Sequence, residues 1–261
     1  MYSFDFVSPS SVDEAVSALA AEDAQALGGG QTLIPTLKQR LASPSALVSL
    51  TGVAGMSGVS QDGGALVIGG ATTHATVAAE AGAYPALAAM ASHIGDPAVR
   101  NRGTIGGSLA NNDPSACYPC GALASGATIV TNSREIGADD YFQGMFTTAL
   151  DEGEIITGVK FPIPEKANNQ KIVQPASRFA LVGVMVAKYA DGVRVAVTGA
   201  SEDGVFRWSE AEAALSGSFS AAAVEGLSVS PDGLIDDLHG TPAYRAHLIK
   251  TLTKRAVGAA A

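Results

Sequence analysis

Two glycine-rich runs set the strongest constraint on this chain: Gly28-Gly29-Gly30-Gln31-Thr32 and Gly103-Thr104-Ile105-Gly106-Gly107-Ser108. Each adjoins apolar sequence and offers successive backbone N–H groups with little side-chain obstruction. Such a run can form a concavity for phosphate or pyrophosphate without needing a lysine. Glycine is also the default residue of tight turns, so either run taken alone reads first as an ordinary turn. Neither fits G-x-G-x-x-G, because Leu33 stands three residues after Gly30, and neither ends in the Lys-Ser/Thr of a P-loop. A Rossmann dinucleotide site and a P-loop NTPase are both disfavoured.

Around these runs the chain alternates helical and strand patterns. Ser11-Val-Asp-Glu14 has the form of a capping box ahead of Val12, Ala15, Val16 and Leu19, which predicts a helix over 11–21. A strand ending at Leu27, the glycine turn, a short helix or turn carrying Leu33, Leu37 and Leu41, and a strand at Leu47–Leu50 complete a small α/β unit. Ala65–Ile68 begins a second unit, followed by two Ala-rich helices, a loop over 95–121, and strands within 126–131 and 153–164. The polar stretch 165–177, with a proline on each side, reads as a linker. Beyond it come a hairpin turning at Ala190-Asp191-Gly192 and helical patterns at 208–216, 220–227 and 242–257.

The formal net charge of −9, with only 16% charged residues, argues against a nucleic-acid ligand held by dense basic side chains. The N-terminus lacks the basic and apolar regions of a secretory signal, and no apolar run approaches the roughly 20 residues of a membrane span. The expectation is a cytoplasmic protein. The four histidines, at 74, 93, 239 and 247, have no ligand spacing, so no metal site is expected. The acidic groups Asp139-Asp140 and Asp151, Glu152 and Glu154 read as solvated faces.

Both cysteines fall in Cys117-Tyr-Pro-Cys120. A zinc site lacks two further ligands, and a redox dithiol belongs just after a strand at a helix N-terminus, whereas this pair follows a polar loop. Two small buried side chains remain the third reading.

Taken together, the segments 28–50, 68–75, 94–114, 153–162 and 177–187 resemble the FAD-binding medium subunit of the molybdenum hydroxylases, the family of carbon monoxide and xanthine dehydrogenases. The likeness runs through nearly the whole chain. It implies an α+β chain: a two-subdomain FAD-binding fold of the vanillyl-alcohol-oxidase type, residues 1–54 and 55–165, followed by a small α+β domain, 166–261. It also implies that Gly28, Gly29, Gly30, Gln31 and Thr32, then Thr104, Ile105, Gly106, Gly107 and Ser108, wrap the FAD pyrophosphate with amides and hydroxyls. Leu33, Ile94, Ala110, Asn111, Ile155 and Ile156 are expected to flank the cofactor, and Phe179 to supply an aromatic beside the flavin.

Two departures from the family pattern stand out. Arg178 replaces the acid of a G-D-Y-A-like segment, and a cation there would favour reduced, anionic flavin. Cys117 replaces the second aspartate of D-P-x-x-D-Y-P, which relatives aim at the ribityl chain; Asn111 or Asn112 could supply that contact instead.

The resemblance further implies an oxidoreductase subunit with no substrate chemistry of its own. Substrate would be oxidised at a molybdenum cofactor in a large subunit, and electrons would cross [2Fe–2S] clusters in a small subunit to FAD here. FAD would pass them to NAD, a quinone, a cytochrome or oxygen, in a dimer of heterotrimers. The alternatives are a free-standing flavin oxidase or dehydrogenase of the same superfamily and a flavin-less scaffold.

Overall fold

The computed structural model describes residues 1–260. Its first layer comprises β1 (Asp5–Val7), α1 (Val12–Leu19), β2 (Ala24–Leu27), α2 (Leu33–Lys38) and β3 (Ala46–Ser49). Ser11 caps α1 by accepting the Glu14 N–H, while the Glu14 carboxylate accepts the Ser10 N–H at 2.7 Å, so the capping box is displaced by one residue. The strands form a parallel sheet in the order β1-β3-β2. Edge strand β1, three residues long and exposed throughout, gives no burial pattern for sequence reasoning to find. In a parallel sheet the loops leaving the strand C-termini gather at one edge, and Gly28–Thr32 leaves β2 there.

The second layer contains β4 (Val59–Asp62), β5 (Ala65–Gly69), α3 (His74–Glu80), α4 (Pro85–Ser92), α5 (Pro97–Arg100), α6 (Ile105–Asn111) and α7 (Cys117–Ser125). It continues through β6 (Thr128–Thr131), β7 (Glu135–Gly137), α8 (Ala138–Tyr141), β8 (Phe142–Gly144), β9 (Thr147–Thr148) and β10 (Ile156–Pro162). Five of these strands make an antiparallel sheet, β4-β5-β10-β6-β7. Ile68, Val159 and Phe161 pack there with Leu87, Leu109 and Tyr118 from the helices.

The expected loop over 95–121 is therefore corrected: it holds α5, α6 and the first turn of α7. Glycine's low helix propensity is overridden by close packing, since a Cβ on Gly106 would lie 2.6 Å from the Gly70 carbonyl oxygen.

The last layer is an antiparallel meander, β11 (Lys166–Val173), β12 (Ala180–Tyr189), β13 (Gly192–Ser201) and β14 (Gly204–Arg207), with α9 (Ser209–Gly217) and α10 (Pro242–Ala259). The stretch expected as a linker is β11, an edge strand paired with β12 from Lys166↔Lys188 to Ile172↔Val182; its polarity reflects the edge. The helix expected at 220–227 shortens to a 3₁₀ turn, Ala221–Val224. Met185, Ala187 and Ala196 join the core of the second layer, while Val182, Val184 and Val186 pack with Leu248, Ile249 and Leu252 of α10. Burial on both faces explains why β12 reads as an almost unbroken apolar run. No helix among the described residues is long and apolar enough to cross a membrane.

Two acidic groups depart from the solvated reading. Asp139 accepts from Arg194 at 2.6 Å and Arg207 at 3.3 Å, tying α8 to the last sheet. The Glu154 side chain is 3% exposed and accepts from Arg134, Thr131, Ser133 and the Asp151 N–H. Arg134 first, then these smaller donors, hold its carboxyl far below the usual carboxylate range.

Candidate functional site

A cavity of about 820 Å³ opens where the three layers meet. Its walls are the Gly28–Thr32 loop after β2, the first turn of α6, the Asp113–Cys117 segment, Ile155 and Ile156 at the start of β10, and Lys171, Arg178 and Phe179 from the last layer. Every residue expected at a cofactor lines this cavity except Ile105 and the alternative Asn112. Ile105 is fully buried in the second-layer core, and its N–H donates to the Thr72 carbonyl.

The two glycine runs differ in what they present. Among the described residues, the N–H groups of Gly28, Gly29, Gly30, Gln31 and Thr32 donate to no protein acceptor. They form the open donor array that the sequence implies. The second run is instead a capped helix start. Gly106 N–H donates to Gly70 O at 2.8 Å, Gly107 N–H to the Thr104 hydroxyl at 3.2 Å, and Ser108 N–H to Thr104 O at 3.0 Å. The expectation of bare amides is thus corrected for this run, which offers the Ser108 hydroxyl and close backbone approach. The runs touch: a Cβ on Gly29 would fall 1.9 Å from the Arg102 carbonyl oxygen, so no side chain fits there.

The segment after α6 sorts its polar groups. Asn112 ends the helix in a left-handed conformation, φ 42°, and its amide donates to Gly144 O at 2.8 Å and Thr147 O at 2.9 Å. Asn112 is buried, held by this amide away from the cavity lining, so it is corrected as a candidate, and Asn111 is the one on the cavity wall. Asp113, whose carboxyl burial raises, accepts the Ser115 N–H at 2.8 Å.

Cys117 occupies the first position of α7, so the pair does sit at a helix start, after an extended Ala116. Burial nonetheless pushes the Cys117 thiol up, against the opposing effect of Lys171 with its ammonium 3.5 Å from Sγ. Burial raises Cys120 further, and its thiol donates to the Ala196 carbonyl at 3.2 Å. Both are free thiols held neutral, which supports packing over dithiol chemistry.

Two cavity residues escape sequence reasoning. Lys171 lies in the stretch read as a linker; its ammonium also donates to His93 O at 2.8 Å and Arg178 O at 3.3 Å. His74 heads α3, is 5% exposed, and has Nδ1 without a hydrogen-bond partner. Desolvation, then Arg100, lowers its pKa to about 4, so the ring is neutral near pH 7. An expectation built on metal-ligand spacing passes over a lone histidine, and only the strand-turn-helix setting of residues 68–75 hints at its place. Arg178, with φ 62°, brings a second cation to the wall beside half-exposed Phe179.

Open amide donors at one end, apolar Ile155, Ile156 and Phe179, and two cations suit an elongated anionic ligand with a planar apolar part. Comparison with known proteins agrees. Residues 2–164 match the family described as the FAD binding domain in molybdopterin dehydrogenase. The nicotine 6-hydroxylase medium subunit of Paenarthrobacter nicotinovorans is 34% identical, across 97% of this chain and 95% of its own length. Among solved structures, quinoline 2-oxidoreductase from Pseudomonas putida 86 superposes with a TM-score of 0.87 at 31% identity, covering 98% of this chain and 95% of the other. The carbon monoxide dehydrogenase of Hydrogenophaga pseudoflava superposes with a TM-score of 0.88 at 30% identity, covering 98% and 96%. The chain belongs to the FAD-binding medium-subunit family of the molybdenum hydroxylases and is an oxidoreductase subunit.

Proposed function

We propose that this chain holds FAD in the cavity between its layers and relays electrons within a multi-subunit molybdenum hydroxylase. The observation that carries the reading is the run of unpartnered N–H groups from Gly28 to Thr32, residues that line a cavity of about 820 Å³. A dianionic pyrophosphate satisfies such donors, and the missing Cβ at Gly29 leaves backbone alone at that wall. Thr32 and Ser108 supply hydroxyls to the same end. Leu33, Ile94, Ala110, Ile155 and Ile156 give the apolar walls, Asn111 a polar contact in place of the family's aspartate, and Phe179 an aromatic neighbour. Lys171 and Arg178 contribute positive charge.

When bound, FAD supplies reversible electron uptake and release. The protein's own residues bind, orient and shield it; none is assigned proton transfer to a substrate. Electrons would arrive from [2Fe–2S] clusters of a small subunit, supplied by a molybdenum-cofactor large subunit, and leave to an external acceptor such as NAD, a quinone, a cytochrome or oxygen. Support for this arrangement comes from relatives named as medium subunits of dehydrogenases and hydroxylases.

The test is direct. Purified protein should show flavin absorbance, with FAD released on denaturation. A pure, folded complex containing no flavin refutes the reading.

A further inference from the structure

The segment joining α6 to α7 carries Asp113, Ser115, Ala116 and Cys117 on the cavity wall, yet it belongs to no helix or strand until Cys117. Backbone carbonyls in such a half-buried, irregular segment need donors from elsewhere. Here the donors come from the last sheet. The Thr198 hydroxyl lies 2.9 Å from Pro114 O and 2.8 Å from Ala116 O, sharing its one hydrogen between them. Gly199 N–H donates to Pro114 O at 2.8 Å, and Ala180 N–H to Ser115 O at 3.4 Å.

That grip is itself braced from behind. Gly199 has φ 80°, and a Cβ there would lie 2.6 Å from Ala180 O, so the ends of β12 and β13 are drawn together at this point. The buried Arg245 of α10 donates to Gly199 O at 2.6 Å and Leu181 O at 2.7 Å, and its other amino group pairs with Asp237 at 2.7 Å. A continuous set of hydrogen bonds thus runs from α10 through the sheet to the cavity wall.

We infer that Thr198 is a positioning residue for the cofactor: through its hydroxyl the last sheet sets where the Asp113–Cys117 segment stands against the flavin. The inference rests on the flavin reading above. Thr198 is 2% exposed, and its hydroxyl has no bond except to this segment. A side chain needed only to fill space would do as well as valine, which has nearly the same shape and no hydroxyl.

The test uses the full chain with Thr198→Val and Thr198→Ser, measuring FAD dissociation by fluorescence titration, the flavin absorbance bands and the flavin reduction potential. Removing the hydroxyl takes the side-chain donor from the half-buried Ala116 carbonyl and leaves Pro114 O with Gly199 N–H alone, which predicts FAD binding about tenfold weaker in the Val variant. Its bands and potential should also shift, with all three restored in the Ser variant. A folded Val variant whose affinity lies within about twofold of wild type and whose bands and potential are unmoved overturns the inference, even if it melts earlier. If the Val variant does not fold, Thr198→Ala is held to the same criteria. Wild-type protein that takes up no FAD refutes the flavin reading and this inference together; uptake with an unaltered variant refutes the inference alone.

Discussion

Gly29→Ala is the sharpest probe of the cofactor end of the cavity. The added methyl carbon would stand 1.9 Å from Arg102 O and 2.5 Å from Gly103 Cα, so about 1.5 Å of movement is needed before an ordinary contact near 3.4 Å is reached. The obstacle is backbone and is pinned: Gly103 N–H donates to Val99 O at 2.7 Å, and Gly103 O accepts from His74 N–H at 2.9 Å. Absorbing the clash in place costs about 1–3 kcal/mol, as for an overpacked core. The alternative is for the Gly28–Thr32 loop to swing outward, and each hydrogen bond to a charged acceptor lost in that way costs about 1.5–3 kcal/mol. Loss of two such bonds predicts FAD binding weakened by at least about a hundredfold. Titration of flavin-free protein with FAD measures this directly, with Gly52→Ala as the control because a Cβ there meets nothing within 4 Å. A Gly29→Ala protein that binds FAD within about threefold of wild type would show that the amide run is not the pyrophosphate site.

Further predictions concern charge and thiols. His74 keeps a pKa of about 4 when folded against 6.5 as a free side chain, so unfolding takes up a proton between those values. Stability of the flavin-free protein should therefore fall by about 3 kcal/mol as pH drops from 6.5 toward 4, and urea midpoints of His74→Gln should lack that component. Glu154→Gln should cost about 2 kcal/mol at pH 7 by weakening its bonds to Arg134, Thr131, Ser133 and the Asp151 N–H. Because the folded carboxyl is lowered, the wild-type advantage holds above about pH 4.5 and shrinks as acid is added; a pH-independent difference in thermal midpoints would contradict this. Both thiols should resist a soluble maleimide in the native protein and react fully in denaturant. The double variant Cys117→Ser, Cys120→Ser should still pass electrons in the assembled complex, and its failure after normal FAD uptake would restore the dithiol reading. Arg178→Ala should lower the flavin reduction potential, and an unchanged potential removes any electrostatic role for that guanidinium.

What sequence alone exposed, and what it hid, has a physical pattern. Periodicity and caps were legible wherever one face of an element meets solvent, as in α1 with Ser11 and Glu14 or the hairpin around Asp191-Gly192. They failed where long-range contact decides the local state. The helix α6 carries two glycines that a propensity argument reads as loop, yet Gly106 must approach Gly70. The edge strand β11 is polar because one side of it has no partner, and with it Lys171 slipped from view. At the site, the glycine runs were readable as backbone features. Which of their N–H groups stay open was not, because it depends on Gly70, Thr72 and Thr104 acting as acceptors from elsewhere.

The sharing of one apolar core by Met185, Ala187 and Ala196 with Tyr118 and Leu109 bears on how this chain can be cut and transplanted. A boundary drawn after β10 would strip the cover from α7, whose residues are buried along its whole length, and leave a greasy helix face in water. The flavin-holding portion is therefore no detachable module. Heat should melt it together with the meander in one cooperative transition, and a chimaera that swaps only the last layer must inherit side chains matching the Cys120 face of α7 or lose both halves at once.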